Sequence, residues 1–154
     1  MLMVQGTMPK ATRHPSISII TFEQYDYQAK ATNLDDVEVI SIQAGDLLMK
    51  KVLLVPGSSV DVLFYSTFQK IKLSEKTMQP SSGELVGFSE ERVPILRSIW
   101  MKVTLGDHPL SRTKDVQFLV VDCISPCHVI LGRPSLNSFG AIASIVHLCV
   151  KFQV

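Results

Sequence analysis

The chain has 154 residues, enough for one ordinary globular domain and short for two. Its 15 basic and 14 acidic residues are scattered, which excludes the basic stripe of a nucleic-acid-binding surface. The cluster of Lys70, Lys72 and Lys76 is interpreted as a solvated face. No apolar run reaches the roughly 20 residues of a membrane-spanning helix, and the N-terminus lacks a secretory signal. We therefore expect a soluble, intracellular, cytoplasmic protein with no nucleic-acid or membrane partner.

The chain order of turns and apolar segments predicts a leader and one domain. Residues 1–16 show no periodicity and contain two prolines, so we predict a flexible leader followed by a domain over residues 17–154. Apolar residues at helical spacing predict a helix over residues 60–71, capped by Ser58 or Ser59. Strands are predicted over residues 17–22, 37–42, 47–55, 84–89, 93–105, 116–121, 127–131, 141–146 and 148–154.

The second predicted helix is short. Gly132 and Pro134 break the chain after an apolar strand, and Pro134 suits the first turn of a helix that ends at Phe139. Many short strands, together with helices of no more than three turns, indicate an all-β domain.

The three cysteines and two of the histidines lie at sequence positions that suggest a metal site. They are Cys123, Cys127, His128, His147 and Cys149. The spacing of Cys123 and Cys127 differs from that of the usual closely paired zinc knuckles, and three cysteines give no even-numbered disulfide framework. Small cysteines buried in strands are the better interpretation. We predict no metal and no cofactor.

Two motifs, with a third between them, identify a family. The first is the apolar strand and turn of residues 53–63 (LLVPGSSVDVL), and the second is residues 129–137 (VILGRPSLN). Residues 86–94 (VGFSEERVP) lie between them, and residues 20–22 precede them in the expected order. Together they resemble the retropepsin-like aspartic protease domains of plant Ty3/gypsy-type retrotransposon polyproteins, over residues 17–154.

The resemblance implies a fold and a catalytic turn. The fold is a retropepsin-like closed β-barrel with one or two short helices. In that family an apolar strand runs into Asp, a variable residue, Gly and Ser. The aspartate position therefore falls on Val55, with Gly57 and Ser58 in the turn that follows.

The resemblance also assigns binding and structural residues. It implies a flap whose residues contact the substrate, namely Val86, Gly87 and Phe88. It implies a structural segment packed beneath the catalytic turn, namely Ile130, Leu131, Gly132 and Arg133. The family works as a homodimer, and an extended peptide lies in its groove as an added strand.

With valine at position 55, the chain lacks the carboxylate that peptide hydrolysis requires in this family. An aspartic protease holds two carboxylates that share one proton and activate water, and a retropepsin chain supplies one of them. Valine has no titratable group, so both carboxylates of a homodimer are missing at once. Loss of a general base alone costs roughly 10²–10⁴ in rate, so we expect an inactive domain.

Nearby residues do not restore the missing acid. We place Asp61 in the first turn of the predicted helix, where its charge favours the helix dipole, and Asp46 in a turn that cannot reach the far end of its strand. Arg97 stands where the family has glycine after the flap, so the flap region also departs from the pattern.

Three functional hypotheses follow. The first is a catalytically inactive retropepsin-like domain that folds and dimerises. The second is an active aspartic endopeptidase, which requires either a sequencing difference at position 55 or an acid from elsewhere in the chain. The third is a binding module that holds peptides in the groove without cleaving them.

Overall fold

The computed structural model describes residues 19–24, 39–71, 73, 75–87, 90–144, 146 and 149–154. The predicted leader, Phe88 and His147 lie outside these residues. The strands are β1 (Val39–Ala44), β2 (Leu47–Leu54), β3 (Asp61–Phe64), β4 (Gln79–Pro80), β5 (Glu84–Val86), β6 (Arg92–Asp107), β7 (Leu110–Val121), β8 (Val129–Leu131), β9 (Ala141–Ser144) and β10 (Cys149–Phe152). The helices are α1 (Tyr65–Lys70), a 3-10 helix (Glu75–Thr77) and α2 (Arg133–Phe139).

Six strands close into a barrel in the order β1-β2-β8-β3-β7-β6. The ring closes because β1 pairs with β2 along one edge and with β6 along the other, through Gln43 and Ala44. The pairs β2–β8 and β3–β7 are parallel, whereas β3–β8 is antiparallel. The predicted all-β closed barrel with short helices is confirmed.

The barrel is filled by one large apolar core, and a smaller cluster lies on the outer side of β3 and β7. Val52, Leu63 and Phe118 are among the fully buried members of the large core. Val62 and Phe64 belong to the smaller cluster, so successive residues of β3 are buried on opposite faces. This second cluster forms the floor of the candidate site described below.

The helix predicted over residues 60–71 is wrong in its first half. Residues Asp61–Phe64 form β3, and α1 begins only at Tyr65, with Phe64 rather than Ser58 or Ser59 at its N-cap. All four residues of β3 are buried, because the strand lies between β7 and β8. In a segment that is buried on both faces, apolar residues do not alternate with polar ones, so the hydrophobic periodicity cannot distinguish a strand from a helix.

The remaining predicted elements agree with the structure apart from their bounds and one strand. The helix ending at Phe139 is α2, and it stops at Gly140, whose φ of 60° is left-handed. Residues 19–22 of the predicted first strand do not form one. In the described part of the chain, no helix is long and apolar enough to cross a membrane.

The three cysteines are half-buried rather than buried in strands, because Cys123 and Cys127 lie between β7 and β8 and only Cys149 lies in a strand, at the start of β10. Among the described residues, which do not include His147, no three His, Cys, Asp or Glu side chains are placed to hold a metal ion.

Candidate functional site

The turn after β2 is fixed by backbone hydrogen bonds to the strand and helix beneath it. The Val55 N–H donates to the Leu131 carbonyl at 2.9 Å, which extends the β2–β8 pairing by one residue. The Ser58 N–H donates to the Val55 carbonyl at 2.9 Å and closes a β-turn over Pro56 and Gly57. Val55 is half-buried at the first position of this turn.

Ser58 connects the turn to the residues that follow. Its hydroxyl donates to the Val60 carbonyl at 2.7 Å, and its own carbonyl accepts from the Arg133 N–H at 2.9 Å. Ser58 thus ties the turn to the start of α2. The residues predicted around position 55 and the structural segment 130–133 are brought together.

Gly132 is the point of closest packing beneath the turn. A Cβ at this position would clash with the carbonyl oxygens of Val60 and Ser58. Gly57, in the turn itself, has no atom within 4 Å of the position of an added Cβ. Of these two glycines, Gly132 is therefore the one that close packing within one protomer requires.

Asp61 caps α2, which corrects its predicted place in the first turn of a helix over residues 60–71. The residue belongs to β3 and is 3% exposed, and its carboxylate accepts the Gly132 N–H at 2.7 Å. The backbone N–H of Ser135 also favours its charged form. Gly132 has no capping side chain of its own, so Asp61 supplies the cap from another strand.

Burial and hydrogen bonding shift the pKa of the Asp61 carboxyl in opposite directions. Burial raises the pKa of Asp61 above its ordinary value of 3.8, and the hydrogen bonds from Gly132 and Ser135 offset this only in part. The buried Ser135 hydroxyl lies close enough to favour the charged form, although it does not reach hydrogen-bonding geometry.

We expect Asp61→Ala to lower the free energy of unfolding by about 1–3 kcal/mol, because it leaves buried N–H donors at the start of α2 without an acceptor. Asp61→Asn keeps an acceptor oxygen and should lose less. Urea denaturation followed by circular dichroism measures both. The exposed Asp46→Asn is the control.

The pH dependence of the same variants has a defined sign. Because the folded-state pKa of Asp61 is raised, the unfolded chain loses this proton first as the pH rises above 3.8. The wild-type protein should therefore lose stability relative to Asp61→Asn as the pH rises from 3.8 through the folded-state pKa. A difference that stays constant across this range would contradict the raised pKa.

A groove of about 640 Å³ opens above the turn. Its floor contains Val55, Gly57 and Ser58 together with residues of the smaller apolar cluster, and the β5–β6 hairpin covers one side. This hairpin contains the segment that was predicted to be a flap, and the Gly87 N–H donates to the Glu91 carbonyl at 2.9 Å. Of the predicted flap residues, Val86 and Gly87 line the groove, and Phe88 lies outside the described residues.

The groove also contains residues that were not predicted to bind a substrate. They are Ser59, Val60, Val62, Phe64, Glu84, Leu85, Glu91, Val93, Val121 and Cys123. Half of them are apolar strand residues, for which the sequence pattern predicts burial but not a place at a groove. Their position at this groove follows from the order of strands around the barrel, which no local signal gives.

The groove has no pair of carboxylates at its turn. Val55 directly follows β2, and Asp61 is buried against α2. Among the described residues that line the groove, the carboxylates are Glu84 and Glu91, both on the flap hairpin. The predicted place of Asp46, in the turn between β1 and β2, agrees with the structure, and Arg97 lies exposed in β6 beside a β-bulge.

Comparison with known proteins gives matches by structure alone. No protein-family model and no curated protein matches the sequence. The retroviral protease-like domain of Ddi1 from Leishmania major is similar with a TM-score of 0.58 and 16% identity, over 75% of this chain and 87% of that one. EIAV protease in complex with the inhibitor HBY-793 is similar with a TM-score of 0.51 and 24% identity, over 71% of this chain and 94% of that one.

A third solved structure supports the same grouping. A retropepsin-like aspartic protease from Rickettsia conorii is similar with a TM-score of 0.50 and 18% identity, over 71% of this chain and 76% of that one. At these identities the likeness concerns the fold. The chain therefore has the fold of the retropepsin-like aspartic proteases.

Proposed function

We propose that this chain is a catalytically inactive retropepsin-like domain, derived from a plant Ty3/gypsy-type retrotransposon, that holds extended peptides in its groove without cleaving them. The observation that carries this proposal is the place of Val55. It directly follows a barrel strand, in a tight turn that faces the groove. A catalytic carboxylate is required at this place, and valine supplies none.

The groove keeps the features that a peptide needs. Among the described strands, β5 pairs with β6 alone, so its other edge is available for an added strand. An extended peptide along such an edge gains main-chain hydrogen bonds, while its alternate side chains enter pockets. Val62, Phe64 and Val93 offer an apolar floor for those side chains.

We also propose that the domain forms a homodimer, as the resemblance implies. In such an assembly we place the hairpin of β9 and β10 against the second chain, because among the described strands it forms a two-stranded sheet separate from the barrel sheet. A two-fold assembly would place the two copies of the turn at Val55 on either side of one groove.

Peptide binding without cleavage is the direct test. Fluorescein-labelled apolar octapeptides should raise their anisotropy when titrated with the protein, and mass spectrometry should detect no product at acidic pH. Val86→Asp places a charge on an exposed apolar residue of the flap edge. We expect it to weaken binding about 10-fold, because burial of a valine is worth roughly 1.5 kcal/mol.

Leu110→Asp is the matched control, because Leu110 is equally exposed and apolar but lies outside the groove. It should leave peptide affinity unchanged. Products formed by the wild-type chain would contradict the proposed inactivity. If no octapeptide of any composition binds, the groove is not a peptide-binding site.

A further inference from the structure

The charges along the groove are of one sign. Among the described residues that line it, Glu84 and Glu91 are charged and no lysine or arginine is present. The remaining lining residues are apolar or carry only hydroxyl or thiol groups. A ligand that fills this groove therefore meets an apolar floor and an acidic flap.

The two glutamates differ in their partners. Glu84 accepts from the Arg92 guanidinium at 3.4 Å, and this exposed ion pair compensates its charge. Glu91 makes no ion pair within the part of the chain that the structure describes. Its carboxylate oxygen lies 3.6 Å from the position of a Cβ at Gly87, which itself lines the groove.

The negative charge of Glu91 acts on Cys123, which also lines the groove. Burial raises the pKa of the Cys123 thiol, and the charges of Asp122 and Glu91 raise it further. Cys123 and Glu91 both line the groove, and they come from different strand ends. The negative potential thus extends from the flap to the end of β7.

We propose that the preferred occupant of this groove is an extended peptide with apolar side chains and a lysine or arginine that pairs with Glu91. This inference rests on the proposed function of the groove as a peptide-binding site. The long apolar stem of such a side chain would lie along Val86 and Val93, while its charged end reaches the carboxylate. An acidic side chain at the same place would face uncompensated like charge.

Three octapeptides that differ at one central position test the inference. The position holds lysine, norleucine or glutamate among apolar residues, and affinities are measured by fluorescence anisotropy at low salt. We expect the lysine peptide to bind about 5-fold more tightly than the norleucine peptide, because one exposed ion pair contributes at most about 1 kcal/mol. The glutamate peptide should bind more weakly than both. High salt should reduce these differences.

Glu91→Gln keeps the shape of the side chain and removes its charge. It should abolish most of the preference for lysine, while Asp46→Asn, which removes an exposed carboxylate outside the groove, should leave it intact. Equal binding of the three peptides to the wild-type protein would overturn the charge inference and leave peptide binding standing. Binding of none of them would overturn the proposed function, and this inference with it.

Discussion

Gly132→Ala should lower the free energy of unfolding by about 2–4 kcal/mol, because its new methyl group has no space. The clash partners are the backbone carbonyl oxygens of Val60 and Ser58, which no side-chain rotation can move aside. Moving them breaks the Ser58–Arg133 hydrogen bond and displaces the Gly132 N–H from the Asp61 carboxylate. Chemical denaturation of the purified variant measures the loss.

Gly57→Ala, in the turn that packs over Gly132, is the matched control. The position of a Cβ at Gly57 has no atom within 4 Å, and its backbone is not left-handed, so the folded protomer should lose little stability. Equal destabilisation by the two substitutions would mean that the turn, rather than the packing at Gly132, limits stability. An unaffected Gly132→Ala variant would contradict the packing described here.

The sequence allowed much of this fold to be predicted, because its turns and motifs are local signals. The all-β class, the flap hairpin and the short helix after Pro134 were each predicted from residues close together in the chain. The closed barrel was predicted from the family resemblance, but no local signal identifies Gln43 and Ala44 as the residues that close it, since β1 and β6 are far apart in sequence.

Residue 61 shows why the rest of the site was not predictable. Its aspartate precedes an apolar run whose spacing also suits a helix, and a carboxylate at a helix N-terminus is a familiar pattern. The carboxylate does lie at a helix N-terminus, but the helix is α2, some 70 residues later in the chain. Only the packing of β3 against β8 brings the two together.

Val55→Asp should create the proteolytic activity that we propose the wild-type protein lacks. The side chain at this position is half-buried, follows the strand directly and lines the groove, so an aspartate there adds one carboxylate per protomer without a change in the backbone. In a two-fold dimer the two carboxylates share one proton and activate water. We expect cleavage of apolar peptides at least roughly 10²-fold above the wild-type background, the smaller value for restoring a general base.

The variant has further signatures that an accidental contaminant would lack. Its activity should be inhibited by pepstatin and should pass through a maximum at acidic pH, because the dyad needs one proton and not two. Since each dimer contains one dyad, activity per protomer should rise with protein concentration until dimerisation is complete. Val55→Asn is similar in size to aspartate but cannot share a proton, so it should remain inactive.

The activity and oligomeric state of the Val55→Asp variant also show whether the missing carboxylate alone prevents catalysis. If Val55→Asp cleaves peptides, the groove, flap and dimer have all been kept, and the loss of one carboxylate accounts for the inactivity. If the variant folds and sediments as a dimer but stays inactive, the flap has also changed, and the exposed Arg97 beside the β-bulge of β6 is the first residue to replace with glycine. If the variant is a strict monomer, the dyad never forms, and the proposed homodimer is wrong.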